Sequence, residues 1–328
     1  MNKQTDVTIG MVSYNTKALV ERCLTSIIEH THGVSYKIIL VDNASKDGTA
    51  DMVRQQFPSV SLIYSPKNVG FPSAINLALE QSNSRYFVMF NSDTALLNDT
   101  FTELVRFADE HPKCGIVCPQ LYYPDGEVQV SHYPFRNPKK RAYREVLPRI
   151  HEVKKALHLV KARPQKADKP RQVPLTPIEV QRPRGVCFMV RKECIDDIGP
   201  MDGNFFIFSE DVDWAWRAKL AGWKRYMVPS AKLMHENHAS VSRRATMMQK
   251  IQMQSVYYFM YKHFGVMAWL RLRFGNLMGG FLALLMSLIS FVKINSKSQQ
   301  KAKEYFKEAM ALFHLSLLTK KVLPADAQ

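Results

Sequence analysis

Tyr36–Val41 (YKIILV) is a near-continuous apolar run that stops on Asp42-Asn43-Ala44-Ser45, and Tyr86–Phe90 (YFVMF) stops in the same way on Asn91-Ser92-Asp93. Runs this short, bounded by turn residues, predict strands buried on both faces. Working outward, Val7–Ser13 (VTIGMVS) ends on Tyr14-Asn15, and Ser61–Tyr64 forms a further short run. Between the runs, Leu19/Val20, Cys23/Leu24 and Ile27/Ile28 recur at helical spacing. Thr49 stands where it can cap a second helix after the Asp47-Gly48 turn, and Pro72 suits the first residue of a helix through Leu79. Another helix covers about 99–110. Strands alternating with helices imply an α/β fold with a mostly parallel central sheet flanked by helices. Ligands of such sheets bind beyond the carboxyl ends of the strands, and the polar clusters stand at those ends.

From about 134 to 183 the pattern breaks into a stretch rich in Pro, Lys and Arg, read as a basic insertion with a short helical piece near 145–161. The sheet resumes with Gly185–Val190. Phe205-Phe206-Ile207-Phe208 then leads into Glu210-Asp211-Val212-Asp213, which opens a helix ended by Gly222. Tyr226–Val228 and Ala231–Met234 are extended and run into His235. The expected organisation is a catalytic domain over 1–240 and a helical region over 241–328. Within the latter, Gly275–Val292 is 18 residues without a charge, flanked by Arg271, Arg273 and Lys293. That is borderline for a span, which needs roughly 20 residues; a helix in the membrane interface, a re-entrant hairpin and a buried helix of a soluble domain stay open.

Lys plus Arg outnumber Asp plus Glu by 45 to 29, a formal net charge of +16, which favours an anionic partner: nucleic acid, an acidic membrane surface or a phosphorylated substrate. The five cysteines are scattered and form no C-x-x-C pair, as expected of buried thiols in a reducing cytosol. The N-terminus lacks an apolar run, so no signal peptide is expected.

The polar clusters carry the candidate chemistry. Asp93 follows a buried strand, and a hard carboxylate so placed suits Mg²⁺ or Mn²⁺; Asn, Ser and Asp also cap helices and turns. Asp42 can accept from a base N–H or form an Asx-turn. Glu210, Asp211 and Asp213 lie in a helix's first turn, where the dipole favours carboxylates, and cannot all point one way. His235, in His-Glu-Asn-His, suits a metal or a phosphate, with His238 competing for the role.

Taken together and in order, VSYN (12–15), VDNASKDGT (41–49), KNVGFPSAINLAL (67–79), FNSDT (90–94), GVCFMVRKE (185–193), IGPMDGNFFIFSEDVDWAWRAKLAGW (198–223) and the late His235 resemble the family-2 glycosyltransferases of GT-A fold. The resemblance is to the bacterial rhamnosyltransferase-like branch, and it spans roughly 7–240. It implies a Rossmann-like GT-A domain with a membrane-associated helical extension. It further implies that Tyr14, Asn15 and Asp42 hold the nucleotide, and that Asn68 and Gly70 line the donor pocket. Asn91-Ser92-Asp93 takes the place of the family's Asp-x-Asp motif, with Asn where the first Asp stands. Asp93 and His235 would ligate a divalent metal, Mn²⁺ or Mg²⁺, Asp211 would be the general base, and Glu210 would bind acceptor or donor hydroxyls.

The activity so implied is inverting transfer from a nucleotide-diphosphate sugar to a saccharide or polyprenyl-diphosphate-linked saccharide in bacterial cell-surface polysaccharide synthesis. dTDP-L-rhamnose is the first candidate donor, then a UDP-sugar. The basic surface and apolar tail point to an anionic membrane, so the expected location is peripheral or shallowly inserted at the cytoplasmic face of the inner membrane. The alternatives are a basic nucleic-acid-binding module, for which no recognised motif is present and nucleic acid is not an expected partner, and an inactive transferase-like domain.

Overall fold

The structure, a computed structural model, describes residues 4–135, 173–236, 245–292 and 296–317, with 150 and 153 alone between the first two. The helical piece expected near 145–161 and His238 lie outside the described residues, apart from those two. The described residues fall into two compact units, one of 4–135 with 173–236 and the start of the next helix, the other of 249–292 and 296–317 together with 150 and 153.

In the first unit, β1 (Val7–Ser13), β2 (Tyr36–Asn43), β3 (Ser61–Ser65) and β4 (Tyr86–Asn91) are parallel in the order β3-β2-β1-β4. The sheet continues from β4 through β11 (Cys187–Arg191), β6 (Cys114–Tyr122) and β12 (Lys224–His235) to β5 (Thr94–Leu96). β11 runs antiparallel to both of its neighbours, so the sheet is mixed. Helices α1 (Lys17–His30), α2 (Thr49–Gln56) and α4 (Thr100–Glu110) supply Leu24, Met52 and Phe101 to one buried face. Helices α3 (Phe71–Glu80), α5 (Lys192–Ile198) and α6 (Glu210–Leu220) supply Ile75, Ile195 and Trp214 to the other. Successive strand residues point to opposite faces: Ile38 and Leu40 enter the first core, Ile39 and Val41 the second. That double burial explains why the strands read as unbroken apolar runs.

Several local expectations are corrected. Thr49 does not cap α2: it is the helix's first residue, Gly48 precedes it with φ +81°, and its hydroxyl donates to Asp47 Oδ1 at 2.5 Å. Pro72 is the second residue of α3, not the first. The described ends of the basic insertion belong to the fold. β9 (Ile178–Glu179) pairs with β12, and β10 (Arg182–Pro183) pairs with β8 (His132–Tyr133), just before the insertion. The two extended pieces before His235 are one strand, β12, whose register against β6 shifts between Val228 and Lys232, across Pro229.

In the second unit, α7 (Ala245–Val292) is broken at Gly265, whose φ of +76° leaves the helical region, so a new helical segment begins at 266. Val256, Tyr257 and Met260 before the break pack with Ala268 and Leu272 after it. α8 (Ser296–Leu317) runs back along α7.

Candidate active site

The parallel register sets the site's floor. Ser13 lies opposite Asp42, and Val12 lies between Val41 and Asn91, so three strands end on polar residues along one edge. Asp42 is fully buried. Its Oδ1 accepts the Ser45 N–H at 2.9 Å, which is the Asx-turn, while Oδ2 is buried without a hydrogen-bond partner among the described residues. Such an orphaned acceptor is costly unless a ligand donor meets it. An open pocket of about 360 Å³ lies beside it, with Lys46, Arg54 and Tyr64 in its lining. Neither Lys46 nor Arg54 was among the sequence candidates, though both are cations within a motif or helix following β2.

Tyr14 is 41% exposed at the end of β1. Asn15, with φ +55°, spends its side-chain oxygen on the Lys46 N–H at 2.8 Å and its own N–H on Ser45 Oγ at 3.0 Å, so it braces the loop after β2. Asn68 Oδ1 accepts from Asn43 Nδ2 and from the Gly70 N–H, both at 3.0 Å. A Cβ on Gly70 would come within 2.6 Å of the Phe206 carbonyl oxygen, which the Phe71 N–H also meets at 2.7 Å. Asn68 and Gly70 thus join the start of α3 to the segment before α6.

Asp93 and His235 meet where β5 pairs with the end of β12. His235 Nε2 stands 3.5 Å from Asp93 Oδ2, and the Glu236 N–H donates to the Asp93 carbonyl at 3.0 Å. Arg22 pairs with Glu236 at 2.5 Å and ties this strand end to α1. Behind the ring lies Gln129, on β7 (Val128–Gln129), which pairs with β6. Gln129 is 1% exposed; its Oε1 is 2.7 Å from His235 Nδ1, and its Nε2 donates to the His235 carbonyl at 3.3 Å. The two bonds fix the amide's sense, so Nδ1 carries a proton and Nε2 is the ring nitrogen turned toward the Asp93 carboxylate. An imidazole nitrogen and a carboxylate oxygen 3.5 Å apart, with the ring's other nitrogen held by Gln129, form a donor set that suits a cation. Among the described residues no group of three or more His, Cys, Asp or Glu side chains is placed to hold a metal. Asp93 and His235 alone match a hard divalent ion that keeps positions for phosphate and water.

Glu210 and Asp211 open α6. Ser209, with φ +67°, and Phe208, with φ +70°, turn the chain sharply into it. Glu210 is buried, with Oε2 lacking a partner among the described residues. Burial first, then the charge of Asp211, holds its carboxyl well above the usual carboxylate range. Asp213 is wholly buried and takes a hydrogen bond from Arg217 Nε at 2.8 Å, which makes it structural. The Asp211 side chain stays 14% exposed, with Arg182 Nη1 at 4.0 Å from Oδ2. It lies directly on the backbone of Gly185, where a Cβ would come within 2.6 Å of Oδ2. The Gly185 carbonyl is in turn 3.4 Å from Asn91 Nδ2, and the Asn91 N–H donates to Val186 O at 3.0 Å. The Asp211 wall and the Asp93–His235 pair are therefore joined through Asn91.

The sequence profile described as glycosyl transferase family 2 matches residues 8–199, more than half of the chain. The chain belongs to glycosyl transferase family 2. The matched stretch ends before Glu210 and His235. Among curated relatives, the N-acetylglucosaminyl-diphospho-decaprenol L-rhamnosyltransferase of Mycobacterium tuberculosis is 27% identical over 260 residues, covering 71% of this chain and 76% of that one. The dTDP-rhamnosyl transferase RfbF of Shigella flexneri is 23% identical over 232 residues, covering 69% and 67%. Among solved structures, the Pyrobaculum calidifontis mannosyltransferase PcManGT, in complex with GDP-Man and Mn²⁺, superposes with a TM-score of 0.55 at 15% identity, covering 96% of this chain and 87% of that one. The fold is thus GT-A, and this family member is a nucleotide-sugar glycosyltransferase of rhamnosyltransferase-like kind.

Proposed function

We propose that the protein is an inverting, metal-dependent glycosyltransferase that moves a sugar onto a saccharide or polyprenyl-diphosphate-linked saccharide in the synthesis of a bacterial surface polysaccharide. dTDP-L-rhamnose is the first candidate donor, supported by the rhamnosyl transfer for which the Mycobacterium and Shigella relatives are named; a UDP-sugar is the alternative. The observation that carries the reading is the Asp211 carboxylate, 14% exposed on the Gly185 backbone and linked through Asn91 to the strand end where Asp93 meets His235.

In this reading the open pocket beside Asp42 takes the nucleoside, with the orphaned Oδ2 accepting from it, and Tyr14, exposed at the end of β1, adds a contact to the nucleotide. Asn15, Asn68 and Gly70 hold the surrounding loops. Asp93 and His235 would hold Mn²⁺ or Mg²⁺, which supplies positive charge to the departing diphosphate. Asp211 takes the proton of the acceptor hydroxyl as its oxygen attacks the anomeric carbon from the face opposite the diphosphate. The bond to the diphosphate breaks, the proton ends on Asp211, and the anomeric configuration inverts. Glu210 binds a hydroxyl of the acceptor or the donor sugar, its unpartnered Oε2 being free to meet one.

The test is binding and turnover across dTDP-rhamnose and UDP- and GDP-sugars, with Mn²⁺, Mg²⁺ or EDTA. Metal-dependent selection of one donor is expected; equal, metal-independent binding of all would overturn the reading. Asp211→Asn is expected to abolish transfer yet keep donor binding, and loss of donor binding would reassign Asp211. Asp93→Ala is expected to weaken metal-dependent donor binding. For an acceptor carried on a lipid, the working location is the cytoplasmic face of the inner membrane.

A further inference from the structure

The helical unit carries a feature that the transfer chemistry does not use. After the break at Gly265, Leu270, Phe274, Leu277, Phe281, Leu285 and Leu288 are each between 37% and 60% exposed. At 3.6 residues per turn these six fall within an arc of about 80°. A continuous stripe of large apolar groups in water marks an interaction surface. The helical region that carries it is basic in composition: residues 245–317 contain nine Lys and Arg against two Glu.

α8 covers the side of this segment that adjoins the stripe and meets the stripe's edge at Phe281. Ser287 Oγ donates to Ala302 O at 2.8 Å, the Phe281 and Phe313 rings are 5.1 Å apart, and Arg273 Nε donates to Ser316 O at 2.7 Å. The two helices therefore run antiparallel, with 302 level with 287 and 313 level with 281. Between those levels α8 exposes Lys303, Glu304, Lys307 and Glu308, alongside the middle of the uncharged 275–292 run. A segment crossing the bilayer here would carry those charges to its centre, where each is costly.

We infer that the 266–292 segment does not span a membrane but lies in the plane of an anionic bilayer surface, with the Leu270–Leu288 stripe in the acyl boundary and α8 toward water. Charge complementarity selects the anionic lipid: basic residues gather at such a surface while the apolar stripe supplies depth. The inference bears on the proposed function by bringing the enzyme to a lipid-carried acceptor, and it stands on the helices alone.

The test uses the full chain with single nitroxide labels on cysteines introduced at 270, 277, 281 and 288, and at 303 and 307 on α8. All five native cysteines are buried, so the introduced thiols label selectively. On adding vesicles of phosphatidylglycerol and phosphatidylethanolamine, the four stripe labels are expected to reach one common shallow depth, with aqueous-relaxant accessibility falling at least threefold and 303 and 307 staying in water. Depth that peaks near 281 and falls toward both ends would mean a span and overturn the inference. So would stripe protection without vesicles that grows with protein concentration, which would mean a second copy as occupant, or no protection at all. The pair Leu277→Glu with Phe281→Glu is expected to lower vesicle partitioning at least tenfold, with donor hydrolysis in solution unchanged. Vesicle binding by a protein that hydrolyses no nucleotide sugar would sink the proposed function and leave this inference standing; turnover without vesicle binding would do the reverse.

Discussion

Replacing Gln129 with leucine is expected to weaken divalent-metal binding about 10- to 100-fold, although Gln129 is not itself a ligand. The buried amide accepts from His235 Nδ1 at 2.7 Å and so keeps Nε2 as the nitrogen turned toward Asp93 and able to bind a metal. Leucine offers no acceptor, and a buried N–H left unsatisfied costs about 1–3 kcal/mol. The ring escapes that cost by moving its proton to Nε2, which then faces Asp93 as a donor and is lost as a ligand. The energy available to drive the switch matches the 1.4–2.7 kcal/mol that about 10- to 100-fold represents. Gln129→Glu keeps an acceptor at Nδ1 and is expected to retain or tighten binding. The assay is titration of the free Mn²⁺ paramagnetic signal in the presence of nucleoside diphosphate, in wild-type, Gln129→Leu, His235→Ala and double-variant proteins. If Gln129 acts through the ring, its replacement costs nothing further once His235 is gone. An equal loss in both backgrounds, or none in either, would refute the tautomer argument.

Other consequences of the geometry can be checked separately. Gly185→Ala puts a methyl within 2.6 Å of Asp211 Oδ2 and is expected to lower kcat about 100-fold with donor Kd unchanged; unchanged kcat would remove Asp211 from the base role. Glu210 has its folded pKa raised by burial and by Asp211, so its stabilising contribution is complete below its ordinary pKa and lost as pH climbs toward the folded value. Glu210→Gln, which mimics the protonated group, should therefore gain in Tm over wild type between pH 5 and pH 8, and a pH-independent difference would contradict this. Burial pushes the Cys23, Cys114 and Cys194 thiols up to about 12, so a chromogenic disulfide at pH 8 should react rapidly with no native thiol and with all five after denaturation.

The parallel half of the sheet was legible because β1, β2 and β4 are buried on both faces and end on polar residues, which prints an apolar run with a sharp edge. β5 and β7 to β10 were not, since strands of two or three residues leave no period to read. β12 read as two pieces because the Pro229 irregularity interrupts one strand. Among site residues, Asp93, His235, Glu210 and Asp211 stood out as chemistry at element ends. Gln129 did not: its partner is 106 residues away, and no local pattern distinguishes a tautomer-setting glutamine from a surface one. Asn15 and Asn68 were legible as positions but not as roles, because a side-chain bond to a neighbouring loop depends on tertiary placement. The apolar run at 275–292 showed that lipid was possible; only the antiparallel register of α8 separates lying from spanning.

Asn91 bears on how the two halves of the site stay aligned. Read against a metal-binding Asp-x-Asp pattern, an Asn at the first position looks like a weakened ligand. In place, its amide nitrogen faces the Gly185 carbonyl at 3.4 Å while its backbone donates to Val186. Only a donor satisfies that carbonyl; an aspartate would set oxygen against oxygen and add a charge beside Asp211, which rests on the same glycine. The residue thus acts as a brace between the strand end that carries Asp93 and the wall that carries Asp211. Restoring Asp at 91 should accordingly not strengthen the metal site. It should loosen Gly185 and displace Asp211, lowering kcat more than it changes metal affinity; a tighter metal site with unimpaired turnover would return Asn91 to the role of a lost ligand.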